Sequence, residues 1–137
     1  MSPEIPPPPS LLVDESLIVQ HVDEAAFTRL VAAFYRRVRI DDVIGPLYPE
    51  DDWDGAEERF AQFLRFRFHG NMTYVENRRH PRLRGRHMPF AIGGAERDRW
   101  LELMAAAMAE TKIPPEALPH LQGFFSQVAD FMRNQPR

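Results

Sequence analysis

The sequence predicts an all-α protein, a compact sandwich of packed helices. Apolar residues recur at three- and four-residue spacing along several long segments, and no segment shows the alternation of a β-strand. Proline and glycine clusters separate these segments. The 137 residues suit a single domain, and a hydrophobic content of 44% is sufficient to form a core.

The first long helix is predicted over residues 23–39, with Asp23 as its capping residue. Its apolar stripe comprises Phe27, Leu30, Val31, Phe34, Tyr35 and Val38. A weaker, short helix is predicted at about 14–20. A proline-rich, irregular connection follows the long helix at 45–52.

The next helix is expected to open at Asp54, because Glu57 lies three residues later in a capping-box pattern. The residues that share its apolar face are Ala56, Phe60, Phe63 and Leu64. The pattern fades near His69 and Gly70. A polar loop is expected from there to residue 80.

Three further helices are predicted towards the C-terminus. Residues 81–88 suit a short helix, because Pro81 favours a first helical turn and Pro89 ends it. A glycine pair precedes a helix at about 95–110, and a proline pair precedes the last one. The apolar positions of these two helices are Trp100, Leu103, Met104, Ala107 and Met108, then Leu118, Leu121, Phe125, Val128 and Met132.

The composition argues against several kinds of site and partner. The chain has no cysteine, which excludes disulfides, zinc–cysteine sites and iron–sulfur clusters. A net charge of -3 without a long like-charge run gives no reason to expect a nucleic acid partner. There is no apolar run of about 18 residues and no signal-peptide pattern, so we expect a cytoplasmic protein that does not enter a membrane.

The N-terminus differs in composition from the rest of the chain. Four consecutive prolines, from Pro6 to Pro9, predict a flexible, extended segment outside the fold. We therefore divide the chain into an N-terminal extension at 1–12 and a folded domain at 13–137.

His87 is the most informative of the five histidines. It lies in the last turn of the predicted short helix and shares a face with Leu83 and Arg84. That face offers an imidazole for iron, an aliphatic group for a flat apolar surface and a guanidinium for a carboxylate, and haem presents all three features. From spacing alone, a merely structural histidine is almost equally well supported.

Several blocks together resemble a known family. The run from His80 to Phe90, HPRLRGRHMPF, looks like the proximal segment of truncated haemoglobins, particularly those of group II. The blocks that resemble the same group elsewhere are Phe34-Tyr35, residues 47–52, residues 55–59 and residues 97–101. They occur in family order over about residues 24–130, which is more specific than a single short motif.

The resemblance implies a globin-like two-over-two helical sandwich that holds haem b non-covalently, with His87 as the proximal ligand of the iron. Tyr35, Tyr48 and Trp100 would then line the opposite, ligand-binding side. Ala56 would stand where many globins have a distal histidine or glutamine.

The resemblance also implies roles for the residues around the haem. Those that would wall the pocket are Phe60, which is bulkier than the leucine expected there, Phe63 and Leu64. Those that would lie near the propionates are Arg59, Tyr74, His80 and Arg84. Those that would pack against the ring are Leu83 and Phe90. Trp53 has no implied role and is expected to be a packing or surface residue.

Three functions remain open at this point. The first is reversible binding of oxygen and of other diatomic ligands such as nitric oxide and carbon monoxide. The second is a haem enzyme that detoxifies nitric oxide or peroxide, which would require a separate reductase. The third is a helical interaction module without a cofactor. A homodimer through the last two helices is also possible.

Overall fold

The structure is a computed structural model that describes residues 13–72 and 93–132. The described residues form five α-helices, one short 3-10 helix and no strand, which confirms the all-α prediction. The elements are α1 (Glu15–His21), α2 (Glu24–Val38), the 3-10 helix (Gly45–Leu47), α3 (Trp53–His69), α4 (Gly94–Glu110) and α5 (Leu118–Met132). The predicted extension at 1–12 and the predicted short helix at 81–88 lie outside the described residues.

Aspartate side chains begin the first two helices. The carboxylate of Asp14 accepts a hydrogen bond of 3.0 Å from the backbone N–H of Ser16, and that of Asp23 accepts one of 2.8 Å from the N–H of Ala26. Each bond satisfies a backbone donor that has no partner inside the helix. The predicted cap at Asp23 is thereby confirmed.

The predicted start of α3 is wrong. The helix begins at Trp53, and Asp52, not Asp54, is its N-cap residue. Neither carboxylate caps the helix: Asp54 is exposed and bonds Arg39 at 3.0 Å, and Asp52 bonds Arg59 at 2.7 Å. Both aspartate side chains therefore bond arginines instead of the first backbone N–H groups of α3.

The helices pack as two layers. Helix α2 contacts both α3 and α4, helix α4 contacts α5, and α1 contacts α3 and α5. Aromatic contacts join α3 to α5, with ring centroids 4.7 Å apart for Phe68 and Phe124 and 6.3 Å apart for Phe60 and Phe125. The pair α2 and α3 thus lies against the pair α4 and α5.

The core lies between the two layers. The largest side chains that are fully buried there include Phe27, Leu30, Phe34, Leu64, Met104, Leu121 and Phe125. Burial of each such side chain contributes about 1.5–3 kcal/mol. Most described positions of the apolar stripes read from the sequence therefore face the interior. None of the helices in the described segments is long and apolar enough to cross a membrane.

Candidate functional site

A buried carboxylate organises the connection between α2 and α3. The side chain of Asp41 is only 2% exposed. Its Oδ2 accepts hydrogen bonds of 3.0 Å and 2.9 Å from the backbone N–H groups of Val43 and Ile44, and its Oδ1 accepts one of 2.6 Å from Nε of Arg99 on α4. Burial alone would raise the pKa of Asp41, but these hydrogen bonds outweigh burial and lower the pKa.

Gly45 lets the chain turn tightly after Asp41. A Cβ atom on Gly45 would lie 2.8 Å from the carbonyl oxygen of Val38, a distance that real side chains do not show. The N–H of Gly45 donates to the carbonyl of Asp41 at 3.0 Å, and the N–H of Tyr48 donates to the carbonyl of Gly45 at 3.1 Å. These bonds bring Tyr48 back against α2.

Aromatic side chains from four segments meet at this point. Tyr35 of α2 lies with its ring centroid 5.6 Å from that of Tyr48 and 6.3 Å from that of Phe60 on α3. The ring of Trp100, in the second turn of α4, lies 6.1 Å from Phe60 and 5.1 Å from Phe34. The structure thus brings together Tyr35, Tyr48, Phe60 and Trp100, and their place on the ligand side of a haem stays a prediction.

Hydrogen bonds join the polar atoms of the cluster. The hydroxyl oxygen of Tyr48 accepts from the hydroxyl of Tyr35 and from the indole N–H of Trp100, which is a donor only. Burial raises the pKa of Tyr35 well above its ordinary value, and it also raises that of Tyr48. Both phenols therefore keep their protons at neutral pH.

The rest of the described site is apolar. Phe60 is 5% exposed, Ala56 is 8% exposed and Leu64 is fully buried. Phe63 is partly buried and stacks on Phe60 with ring centroids 6.5 Å apart. Ala56 and Phe60 lie four residues apart on one face of α3.

Arg59 lies at the edge of the cluster. Its guanidinium bonds the carboxylate of Asp52 at 2.7 Å, and its side chain is 19% exposed. Gly55 leaves room for this pair, because a Cβ atom there would lie 2.1 Å from Oδ1 of Asp52 and would displace that carboxylate. The contact of Arg59 with a haem propionate remains a prediction.

Sequence reasoning expected Trp53 to be a packing or surface residue but did not place it on the outer side of Tyr48. The indole of Trp53 stacks on Tyr48 with ring centroids 5.3 Å apart, and the guanidinium of Arg39 lies 5.6 Å from the Trp53 ring. Asp41 and Arg99 were missed as well. An aspartate placed shortly before Gly45-Pro46 was the available signal, because such residues often bond the backbone of a turn.

Six residues of the predicted site lie outside the described residues. They are Tyr74, His80, Leu83, Arg84, His87 and Phe90. The assignment of His87 as iron ligand therefore rests on the sequence.

Known proteins resemble this chain over most of its length. A family profile described as bacterial-like globin matches residues 22–134. The group 2 truncated haemoglobin YjbI of Bacillus subtilis is 34% identical over 114 residues, which cover 83% of this chain and 86% of that protein. The chain belongs to the bacterial-like globins and is a group II truncated haemoglobin.

Solved structures agree with this membership and with the predicted two-over-two fold. A thermostable haemoglobin from the actinobacterium Thermobifida fusca is 44% identical to this truncated haemoglobin, with a TM-score of 0.80 over 86% of this chain and 97% of that one. The group II truncated haemoglobin of Bacillus anthracis is 29% identical, with a TM-score of 0.80 over 88% and 98% of the two chains.

Membership in this family makes the chain a haem-binding globin. The described side of the site fits a haem. Phe60 and Leu64 supply an apolar wall of the kind that a porphyrin face requires, and Tyr35, Tyr48 and Trp100 supply neutral hydrogen-bond groups within it.

Proposed function

We propose that this truncated haemoglobin reversibly binds dioxygen, and other diatomic ligands such as nitric oxide and carbon monoxide, at a haem b whose iron is ligated by His87. The observation that supports the proposal is the hydrogen-bonded set of Tyr35, Tyr48 and Trp100 inside an apolar site.

The haem, when bound, supplies a ferrous iron that coordinates the diatomic ligand and shifts negative charge onto it. All three polar side chains carry a donor hydrogen. Tyr35 and Trp100 direct theirs at the Tyr48 oxygen, so they orient the Tyr48 hydroxyl as the donor to that charge. A hydrogen bond to a charged acceptor contributes about 1.5–3 kcal/mol, which would slow ligand release about ten- to a hundredfold per bond.

The contacts among the donors keep them in place. The indole of Trp100 and the hydroxyl of Tyr35 both donate to Tyr48, so the position of the Tyr48 oxygen is determined from two helices. Tyr35 is 4% exposed and Trp100 is 7% exposed, so both donors are largely shielded from water, while Tyr48 is partly buried. Hydrogen bonds in such surroundings are stronger than in solution.

The test is an absorbance spectrum of the haem-reconstituted protein in the ferric, ferrous and carbon monoxide forms. The wild type is expected to show a Soret band that shifts with carbon monoxide, and His87→Ala is expected to lose axial coordination. His21→Ala changes an exposed histidine at the end of α1 and serves as the control.

Two results would contradict the proposal. If the wild type binds no stoichiometric haem, the proposed ligand binding is wrong for this chain. If His87→Ala keeps the axial coordination of the His21→Ala control, the ligand is another residue. Detoxification of nitric oxide or peroxide with a separate reductase stays a prediction from the sequence.

A further inference from the structure

An ion pair lies beside the donor cluster and joins the two segments that carry it. Arg99 immediately precedes Trp100 on α4, and Asp41 begins the turn that leads to Tyr48. The Arg99 Nε to Asp41 Oδ1 distance is 2.6 Å. The connection and α4 are therefore held together next to the bond between Trp100 and Tyr48.

Asp41 is buried and Arg99 is not, so loss of the arginine would destabilise the protein by leaving a buried charge without its countercharge. The carboxylate of Asp41 is 2% exposed, whereas the side chain of Arg99 is 40% exposed. Removal of the arginine would leave a buried carboxylate with only the two backbone N–H groups as partners. A buried charge that loses its countercharge strongly favours any movement that restores water or another cation.

The backbone between Asp41 and Tyr48 transmits the position of the pair. The carboxylate bonds the N–H groups of Val43 and Ile44, and the carbonyl of Asp41 bonds the N–H of Gly45. The N–H of Tyr48 then bonds the carbonyl of Gly45. A shift of Asp41 relative to α4 therefore moves Tyr48 relative to Trp100.

We infer that Asp41 and Arg99 act as positioning residues that hold the Trp100 indole and the Tyr48 hydroxyl in hydrogen-bonding register and thereby set the rate at which the diatomic ligand leaves. The part of this inference that concerns the rate of ligand release rests on the proposed function. Neither residue is assigned a contact with the ligand.

The other contact of Arg99 does not account for such a role. Its Nη1 atom lies 3.2 Å from Glu102, one turn further along α4, and Glu102 is 66% exposed. Exposed pairs of this kind contribute little, because water competes for both charges. The buried partner, Asp41, determines where the guanidinium lies.

The experiment compares Arg99→Met with the matched control Arg97→Met. Arg97 lies on the same helix two residues earlier, and it pairs with Asp98 and with Asp130 of α5 instead of Asp41. The first measurement is hydrogen exchange of the Trp100 indole N–H by nuclear magnetic resonance, with and without carbon monoxide. The spectrum of Trp53→Phe assigns the two indole signals of the chain.

In Arg99→Met, we expect the Trp100 indole hydrogen to exchange about tenfold faster than in the wild type. We expect oxygen release to accelerate by a similar factor, because a change of this size corresponds to the loss of one hydrogen bond. Arg97→Met is expected to lower the melting temperature while both rates stay as in the wild type. Arg99→Lys is expected to recover part of the protection, because it keeps the charge near Asp41.

Asp41→Asn removes the charge of Asp41 but keeps a side-chain oxygen that can bond the backbone of the turn. The amide oxygen still accepts from Val43 and Ile44, so the change mainly removes the attraction to Arg99. We expect a smaller effect than in Arg99→Met and a double variant that is no worse than Arg99→Met alone. If Arg99→Met fails to fold, Asp41→Asn and Arg99→Lys provide the test.

The inference is overturned if Arg99→Met and Asp41→Asn lower stability but leave indole exchange and oxygen release at the values of Arg97→Met. This failure is distinct from failure of the proposed function. A wild type that binds no oxygen would contradict the proposed function, and the indole exchange would still report whether the ion pair positions Trp100.

Discussion

At the scale of single residues, the chemistry of the site depends on which atoms donate and which accept. The Tyr48 oxygen accepts from Tyr35 and Trp100, and burial keeps both phenols protonated by raising their pKa values. A phenolate would lose its donor capacity. The site therefore offers neutral donors across the physiological pH range, and no histidine among the described residues of the cluster adds a titration there.

Replacement of Trp100 by phenylalanine is expected to release oxygen about ten- to a hundredfold faster, because one donor of the hydrogen-bonded set is lost. Stopped-flow measurement of oxygen dissociation gives the rate. Trp53→Phe is the matched control, since Trp53 stacks on the outer side of Tyr48 without an assigned hydrogen bond to the cluster. A rate in Trp100→Phe equal to that of the wild type would remove Trp100 from the proposed donor set.

At the scale of elements, the connection between α2 and α3 determines where Tyr48 lies. It combines a buried aspartate, a glycine in tight contact with α2 and a 3-10 helix at Gly45–Leu47. Covalent continuity anchors this connection only at its two ends, in α2 and in α3. Its other anchor is Arg99 on α4, so the connection is a tertiary structure more than a local turn.

Gly45→Ala is expected to destabilise the protein by about 1–3 kcal/mol, because the new methyl group would push on the backbone oxygen of Val38 at 2.8 Å. We also expect faster oxygen release, since the displaced connection carries Tyr48. Urea denaturation and oxygen dissociation measure the two effects.

The control for Gly45→Ala is Gly70→Ala. Gly70 ends α3 with a φ of 69°, and a Cβ atom there would meet nothing within 4 Å. That change costs about 1–2 kcal/mol through backbone conformation alone and leaves oxygen release unchanged. If Gly45→Ala matches the wild type in both measurements, the tight turn does not position Tyr48.

At the scale of the whole molecule, arginine–carboxylate pairs link helices that are distant in sequence. Arg67 of α3 binds Glu15 of α1 through two hydrogen bonds, each of 2.7 Å. Glu110 of α4 receives bonds from Arg36 and Arg37 of α2, and its pKa is lowered by them. The planar guanidinium suits such paired contacts better than an ammonium group does.

Acid is expected to weaken the fold through these carboxylates. The pKa of Asp41 is lowered in the folded protein from an ordinary value of 3.8, so the unfolded chain binds protons more readily than the folded one. The stabilisation is therefore complete above that ordinary value and is lost as pH falls through the lowered pKa. The free energy of unfolding should decrease below about pH 4.

Urea denaturation over a pH series measures the effect of acid. Asp41→Asn is expected to flatten part of the pH dependence, because the buried carboxylate no longer titrates. Glu110→Gln is the control, since its carboxylate is exposed to water and contributes less. A pH dependence in Asp41→Asn equal to that of the wild type would contradict the assignment.

The sequence by itself determined the family and the helices of the described residues. The stripe that includes Phe27, Leu30 and Phe34 depends only on spacing along one helix, so periodicity was enough to predict α2 and its buried face. The cap at Asp23 is equally local. The motif order identified the group of globins, and it also named Tyr35, Tyr48 and Trp100 as members of one cluster.

Only the tertiary structure decided which polar side chains meet. Asp54 has the local pattern of a helix cap, but Arg39, which is 15 residues away, takes its carboxylate. Asp41 and Arg99 are 58 residues apart and carry no shared pattern, yet they join the two segments of the donor cluster. Helix formation follows from neighbours along the chain, whereas a buried charge pairs with whichever opposite charge the packing of the helices brings within reach.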